Sequence, residues 1–210
     1  MQYSTNLLLR KPEGSDGSSM LTDLNYNWDI LDAICTLLGI GGIWKERFVD
    51  VAAASVTAIH LAISGNGAVQ NIITGITNPG DSRVATITTS NIASPSGNVV
   101  LTGLVRGVST NETFVIVPGS TVIGNLPFDT ITNIQLPAGV SASDTVSVGI
   151  GDKFGLQHMI DAANQVYKIT VNAVDVTSTY ASLVNAIYGT IDFSTAGVYQ
   201  DMCVWYYQFA

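Results

Sequence analysis

The chain has 210 residues, 47% of them hydrophobic and only 11% charged, with eight basic against sixteen acidic side chains and a net charge of -8. That is enough apolar material for one sizeable core, or one domain with an extension. The acidic balance, with no local cluster of Lys and Arg to offset it, repels a phosphate backbone and argues against nucleic acid as a partner.

The N-terminal segment MQYSTNLLLRKPEGSDG carries a short apolar stretch, Leu7, Leu8 and Leu9, ended by Arg10 and Lys11. It is too short and too late for the apolar core of a secretory signal. Pro12, Gly14, Gly17 and the surrounding Ser and Asp make residues 1–20 an extended arm whose leucines need a place to be buried. The spacing then changes. Leu21, Leu24, Trp28, Leu31, Cys35 and Leu38 follow at alternating steps of three and four, which predicts a helix of about five turns with a narrow apolar seam. Thr22 and Asp23 supply its start, and Gly39 with Gly41 and Gly42 its stop. The seam packs either on the chain's own β-domain or on copies of itself; Asn25, Asn27 and Asp29 beside it favour the copies, so 21–45 reads as an oligomerisation segment. The longest apolar run, ILDAICTLLGIGGIW, contains Asp32 and three glycines and falls short of a bilayer-spanning helix, so no membrane partner is expected. Cys35 and Cys203 lack the spacing of a metal site or disulfide framework and read as buried thiols.

Residues 46–210 read as a single mainly β domain. VTAIHLAI, VATITT, NVVLTGLV, TFVIV, FDTITNIQL, DTVSVGI, YKITVNAV and MCVWYYQF are rich in β-branched and aromatic residues, and most are separated by Gly, Pro, Asn or Ser. The pattern predicts an antiparallel β-sandwich or jelly-roll-like fold. Phe128, Ile131 and Ile134 break strict alternation, which predicts a bulge or burial on both faces. In the last strand Met202, Val204 and Tyr206 lie on one face and Cys203, Trp205 and Tyr207 on the other; both are apolar, as suits a central strand or one covered by a neighbouring subunit.

The sequence offers few chemical sites. VGIGDKFGL, residues 148–156, places a glycine-rich, lysine-bearing stretch between a strand and the helix-like LQHMIDAANQV. Its GxGxxxG spacing is off the dinucleotide fingerprint, Lys153 precedes the last glycine, and Asp152 sits where phosphate would. The stretch therefore reads as a turn or bulge with positive-φ glycines and Asp152 and Lys153 at an exposed tip. His60 reads as a strand-face residue opposite Ile59, Leu61 and Ile63, and His158 shares a helix face with Asp161, too common a pair to imply catalysis. Asp16, Asp23, Asp29 and Asp32 are too scattered to hold a metal; Asp129, Asp144, Asp175 and Asp192 sit at strand and turn boundaries and cap their own backbone. Trp205 and its neighbouring tyrosines have the chemistry to stack on sugar, though a buried terminal strand is the simpler use.

Two stretches resemble proteins of tailed-bacteriophage virions. Leu7, Leu9, Lys11, Pro12, Glu13, Asp16, Leu24, Asn25, Asn27, Trp28 and Asp32 match the attachment segment of phage tail-fibre and accessory structural proteins. NIITGITNPGDSRVATITT, GNVVLTGL, PFDTITNIQL and DTVSVGIGDKFGL resemble a β-domain of head-decoration and head-fibre proteins, in which a Gly-Asp-Lys-x-Gly-Leu turn follows a Val-rich strand. That family commonly has more acids where Glu112 here stands nearly alone. The resemblance implies a non-enzymatic virion component, often trimeric and without cofactor. Leu7, Leu8, Leu9, Lys11, Pro12 and Glu13 would dock on a major capsid or tail protein, with the β-domain displayed outward. Capsid decoration or head fibre ranks above a tail-fibre or baseplate adaptor that contacts a host glycan; a nucleotide-binding or hydrolytic enzyme using the glycine stretch is the rival from another class.

Overall fold

The computed structural model describes residues 2–3, 10–11, 40–90, 92, 97–194 and 201–209. The chain divides into two compact units, Met1–Trp44 with Tyr207–Ala210 and Lys45–Tyr206. In the first, β1 (Gln2–Tyr3) pairs antiparallel with β2 (Arg10–Lys11), Lys11 lying opposite Gln2, so the arm read as extended doubles back on itself at these residues. The expected helix over 21–38, with its seam, lies outside the described residues, as do Leu7, Leu8, Leu9, Pro12 and Glu13.

β3 (Ile40–Phe48) spans the boundary of the two units and starts before residue 46, where the β domain is expected to begin, with Gly41 and Gly42 inside a strand. In the Lys45–Tyr206 unit, β4 (Ser55–Ser64), β5 (Gln70–Ile72), β6 (Arg83–Thr89), β7 (Asn98–Val105), β8 (Val108–Val115), β9 (Thr121–Phe128), β10 (Thr130–Leu136) and β11 (Thr145–Gly155) build a two-sheet sandwich. One sheet runs β5-β10-β7-β8; in the other, β11 lies between β6 and β4, and β9 flanks β6. All of these pairings are antiparallel. Alternation explains the core: Val99, Leu101 and Val105 of β7, Ile131, Ile134 and Leu136 of β10, Ala85 and Ile87 of β6, and Val146, Val148 and Ile150 of β11 meet between the sheets.

The predicted strand NVVLTGLV is β7, and the predicted irregularity in FDTITNIQL is a register shift between Ile131 and Asn133 against β7. β9 is absent from the expected strands, and β8 starts five residues before TFVIV. Polar Ser, Thr, Asn and Glu hide β8, and Gly124 and Pro127 interrupt β9; both are edge strands, where such residues are tolerated. Arg106 and Gly107, both with positive φ (51° and 75°), make the two-residue hairpin between β7 and β8. In β4 two register shifts against β11 place Ile59 and Ile63 in the core and leave Leu61 71% exposed, so the face expected for all three residues is split.

The rest of the unit surrounds a second core. β12 (Val166–Val171) and β13 (Val174–Asp175) form a hairpin on Asn172 and Ala173. They are followed by the one-turn helix α1 (Thr177–Tyr180), β14 (Val184–Asn185) and β15 (Thr190–Asp192). The sheet order β13-β12-β16-β3 places β16 (Met202–Phe209) centrally, as its two apolar faces predict. Phe48, Phe154, Leu156, Ile169, Tyr180, Phe193, Val204 and Tyr206 fill this core. β11 serves both cores, with Val146 to Ile150 in the first and Phe154 in the second. The stretch LQHMIDAANQV, read as helical, holds only a short 3-10 turn at Ala163–Gln165. Gln165 shapes it by accepting the amides of Asp161 (2.5 Å) and Ala162 (2.8 Å).

Candidate functional site

The glycine stretch is the interior of a strand. Gly149, Gly151 and Gly155 all belong to β11, and none has a positive φ. They are glycines because neighbours press on them. A Cβ at 149 would lie 2.0 Å from the Ser55 carbonyl oxygen, one at 151 would be 2.8 Å from Val84 Cγ2, and one at 155 would be 2.5 Å from Pro127 Cβ. The expectation of a turn with positive-φ glycines is therefore corrected, while its bulge alternative holds: β11 shifts register between Val148 and Ile150 against β4 and between Ile150 and Phe154 against β6, and the segment also pairs with β15.

Arg83 stabilises this crossing. It is 2% exposed; Nε donates to the Gly151 carbonyl at 2.8 Å, Nη2 to the same oxygen, and Nη1 to the Ala52 carbonyl at 2.6 Å. Its guanidinium lies 4.4 Å from the centre of the Phe154 ring and 3.6 Å from an Asp152 carboxylate oxygen. Burial lowers its pKa, opposed by Asp152 and Asp81. Arg106 works similarly, donating to the carbonyls of Leu156 (2.7 Å), Tyr188 (2.8 Å) and Gly189 (3.0 Å).

The buried carboxyls also hold backbone. Between Val84 and Thr86 the β6–β9 ladder shifts register, leaving amides of β9 unpaired. Glu112 Oε1, reaching over from β8 in the facing sheet, accepts from Asn125 N at 2.6 Å and Leu126 N at 3.2 Å. Burial raises its pKa, and the two amides and Lys153 oppose that rise; Oε2 has no hydrogen-bond partner. Glu46 Oε1 accepts from the Gln157 amide at 2.5 Å and from the Tyr206 hydroxyl, whose oxygen accepts from the His158 amide at 3.2 Å. Burial pushes both Glu46 and Tyr206 upward in pKa, and their shared hydrogen bond pulls Glu46 back down while raising Tyr206 further. Glu46, with Asp81 and Asp129, lines an open cleft of about 420 Å³.

The remaining expected sites resolve simply. His60 Nδ1 is 2.7 Å from the Leu61 carbonyl oxygen, a local backbone contact. His158 and Asp161 share no helix face, because no helix forms there. Asp144 accepts from Ser141, Asp175 from Thr177 and Asp192 from Ser194, as local caps, whereas Asp129 caps the Gly107 amide of another hairpin. Among the described residues no group of three His, Cys, Asp or Glu side chains is placed to hold a metal; Asp16, Asp23, Asp29 and Asp32 lie outside them. Cys203 is buried and carries no disulfide, while Cys35 lies outside the described residues. Trp205 is half-buried on the face of β16 turned from the second core, which it shares with buried Cys203, and the ammonium groups of Lys45 and Lys168 lie 5.0 and 5.2 Å from its ring centre.

Sequence reasoning passed over Arg83, Arg106, Glu46 and Glu112. Only Glu112 left a trace, as a lone acid in a Thr- and Val-rich run; Glu46 and Tyr206 are 160 residues apart and left none. Fold and side chains together define a mainly β protein, an antiparallel sandwich with an attached second core, in which Arg83, Arg106, Glu46 and Glu112 bond to backbone groups. No family model, curated protein or solved structure matches the chain.

Proposed function

We propose that the chain is a non-enzymatic structural component of a tailed-phage virion, attached through its N-terminal region and displaying the sandwich outward. The observation that carries this reading is the use of the buried charged groups. Arg83 and Arg106 hold carbonyls, and Glu112 and Glu46 hold amides. A catalytic site needs such groups aimed at a substrate with their hydrogen-bonding capacity in reserve; a display domain uses them to lock strand crossings. The resemblance of the Leu7 to Asp32 segment to phage attachment segments gives the direction of docking. Leu21, Leu24, Trp28, Leu31, Cys35 and Leu38 form the core of a homotrimer, and the arm inserts into a capsid or tail protein.

Immunogold labelling of intact particles of the parent phage with antibody to the Lys45–Tyr206 unit tests the assignment. Label on the head places the protein as decoration or head fibre, and label on the tail as an adaptor. A chain confined to the soluble lysate, with unlabelled particles, overturns the reading. Sedimentation tests the seam separately: the wild type should sediment as a trimer and the Leu24→Asp/Leu31→Asp variant as a monomer, and a monomeric wild type refutes it.

A further inference from the structure

We propose that the outer face of the β3–β16–β12 sheet binds acidic polysaccharide. The Lys45–Tyr206 unit holds six basic residues. Arg83 and Arg106 grip backbone carbonyls, Arg47 forms a two-point pair with Asp201 (2.9 and 2.6 Å), and Lys153 lies near the Glu112 carboxyl. The other two, Lys45 and Lys168, are exposed and converge on one indole. Lys168 lies directly opposite Trp205 in the β12–β16 ladder, and Lys45 reaches it from β3 on the other side. Two lysines against one half-buried tryptophan, in a protein of net charge -8, form a local positive site on an acidic molecule.

The geometry selects the ligand. The two ammonium groups, 5.0 and 5.2 Å from one ring centre, make an isolated pair of positive charges and suit an anion whose charges are widely spaced rather than a dense row. Duplex nucleic acid carries a charge about every 1.7 Å along its axis and would meet the repulsion of the whole molecule. A polysaccharide bearing one carboxylate or sulfate per sugar or pair of sugars carries fewer charges and can pair with the two ammonium groups where the ring holds them. Cation–π contact with Trp205 holds both ammonium groups in place before ligand arrives. Of the neighbouring acids, Asp201 is paired with Arg47, and Asp175, bound by the Thr177 hydroxyl and amide, offsets part of the charge of Lys168. This ligand class rests on the sheet face alone and stands or falls apart from the virion assignment.

The test passes the full chain over immobilised polysialic acid, heparin, neutral dextran and a single-stranded oligonucleotide. Retention on polysialic acid, on heparin or on both, weakening with added salt, is the expected result, and the pattern distinguishes carboxylate from sulfate. Lys45→Gln/Lys168→Gln, two exposed changes that leave the core intact, should weaken binding about tenfold. Trp205→Phe should weaken it less, and Lys153→Gln should leave it unchanged. No retention on either acidic polysaccharide, equal retention on dextran, tighter binding of the oligonucleotide, or undiminished binding by the double-lysine variant overturns the proposal.

Discussion

Glu112 gives the sharpest test of how this sandwich is held together. Replacing it with Ala removes the acceptor for two β9 amides, Asn125 N (2.6 Å) and Leu126 N (3.2 Å). Asn125 is exposed and can turn to water, whereas the half-buried Leu126 amide is harder to satisfy. A hydrogen bond to a charged group is worth about 1.5–3 kcal/mol net, and the burial cost of the carboxylate offsets part of that. Glu112→Ala should therefore cost about 1–3 kcal/mol, lowering Tm by about 2–10 °C for a domain of this size. Glu112→Gln keeps an oxygen for the amides and replaces the unpartnered Oε2 with an uncharged group, so its cost should stay within about 1 kcal/mol. The pH dependence separates the two effects. The Glu112 carboxyl is held above its ordinary 4.5, chiefly by burial, so the folded chain binds that proton more tightly than the unfolded chain. Its contribution is fully present below 4.5 and is lost as pH rises through the higher folded value. Glu46 and Asp81 shift in the same direction, so the wild type should gain stability from neutral pH toward 5, and the Gln variant should gain less. Urea unfolding of wild type, Ala and Gln variants across that range measures all of this. Equal losses in Ala and Gln, or a wild type whose stability falls on acidification while the Gln variant's does not, would refute the reasoning.

Three further outcomes follow from the same packing. Gly149→Val, placing a side chain where the Ser55 carbonyl oxygen lies 2.0 Å from the Cβ position, should cost about 3 kcal/mol or more and reduce soluble yield, read by expression and circular dichroism. Arg83→Met keeps the apolar stem but strips donors from the Gly151 and Ala52 carbonyls, so denaturant unfolding should show a loss of about 2–4 kcal/mol. Arg83→Lys should recover only part of that, because an ammonium cannot reproduce the planar fork. Ala173→Gly should stabilise by about 1 kcal/mol, since Ala173 sits at φ 64° in the β12–β13 hairpin, where glycine carries no Cβ penalty. An unchanged or lower Tm would show that this turn is not strained.

By itself the sequence determined the class and much of the strand inventory, because alternation, β-branching and turn residues act over a few neighbours. NVVLTGLV and MCVWYYQF could be read directly as β7 and β16, and the uneven spacing of Phe128, Ile131 and Ile134 announced the bulge in β10. Edge strands broke that rule: β9 carries Gly124 and Pro127, which read as breakers but are tolerated at a sheet edge. VGIGDKFGL, expected as a turn or bulge, is a bulged strand, and the turn alternative fails for a related reason. A run of glycines looks the same whether its backbone must bend or must make room, and only the passage of β4 at Ser55 and the nearness of Pro127 decide for room. The partners of Arg83, Glu46 and Glu112 were likewise decided only in the tertiary structure. A hydrogen bond to a backbone amide or carbonyl carries no signature in the residue that supplies it, so lone charges in a nearly uncharged sequence gain their role only when distant strands are brought together.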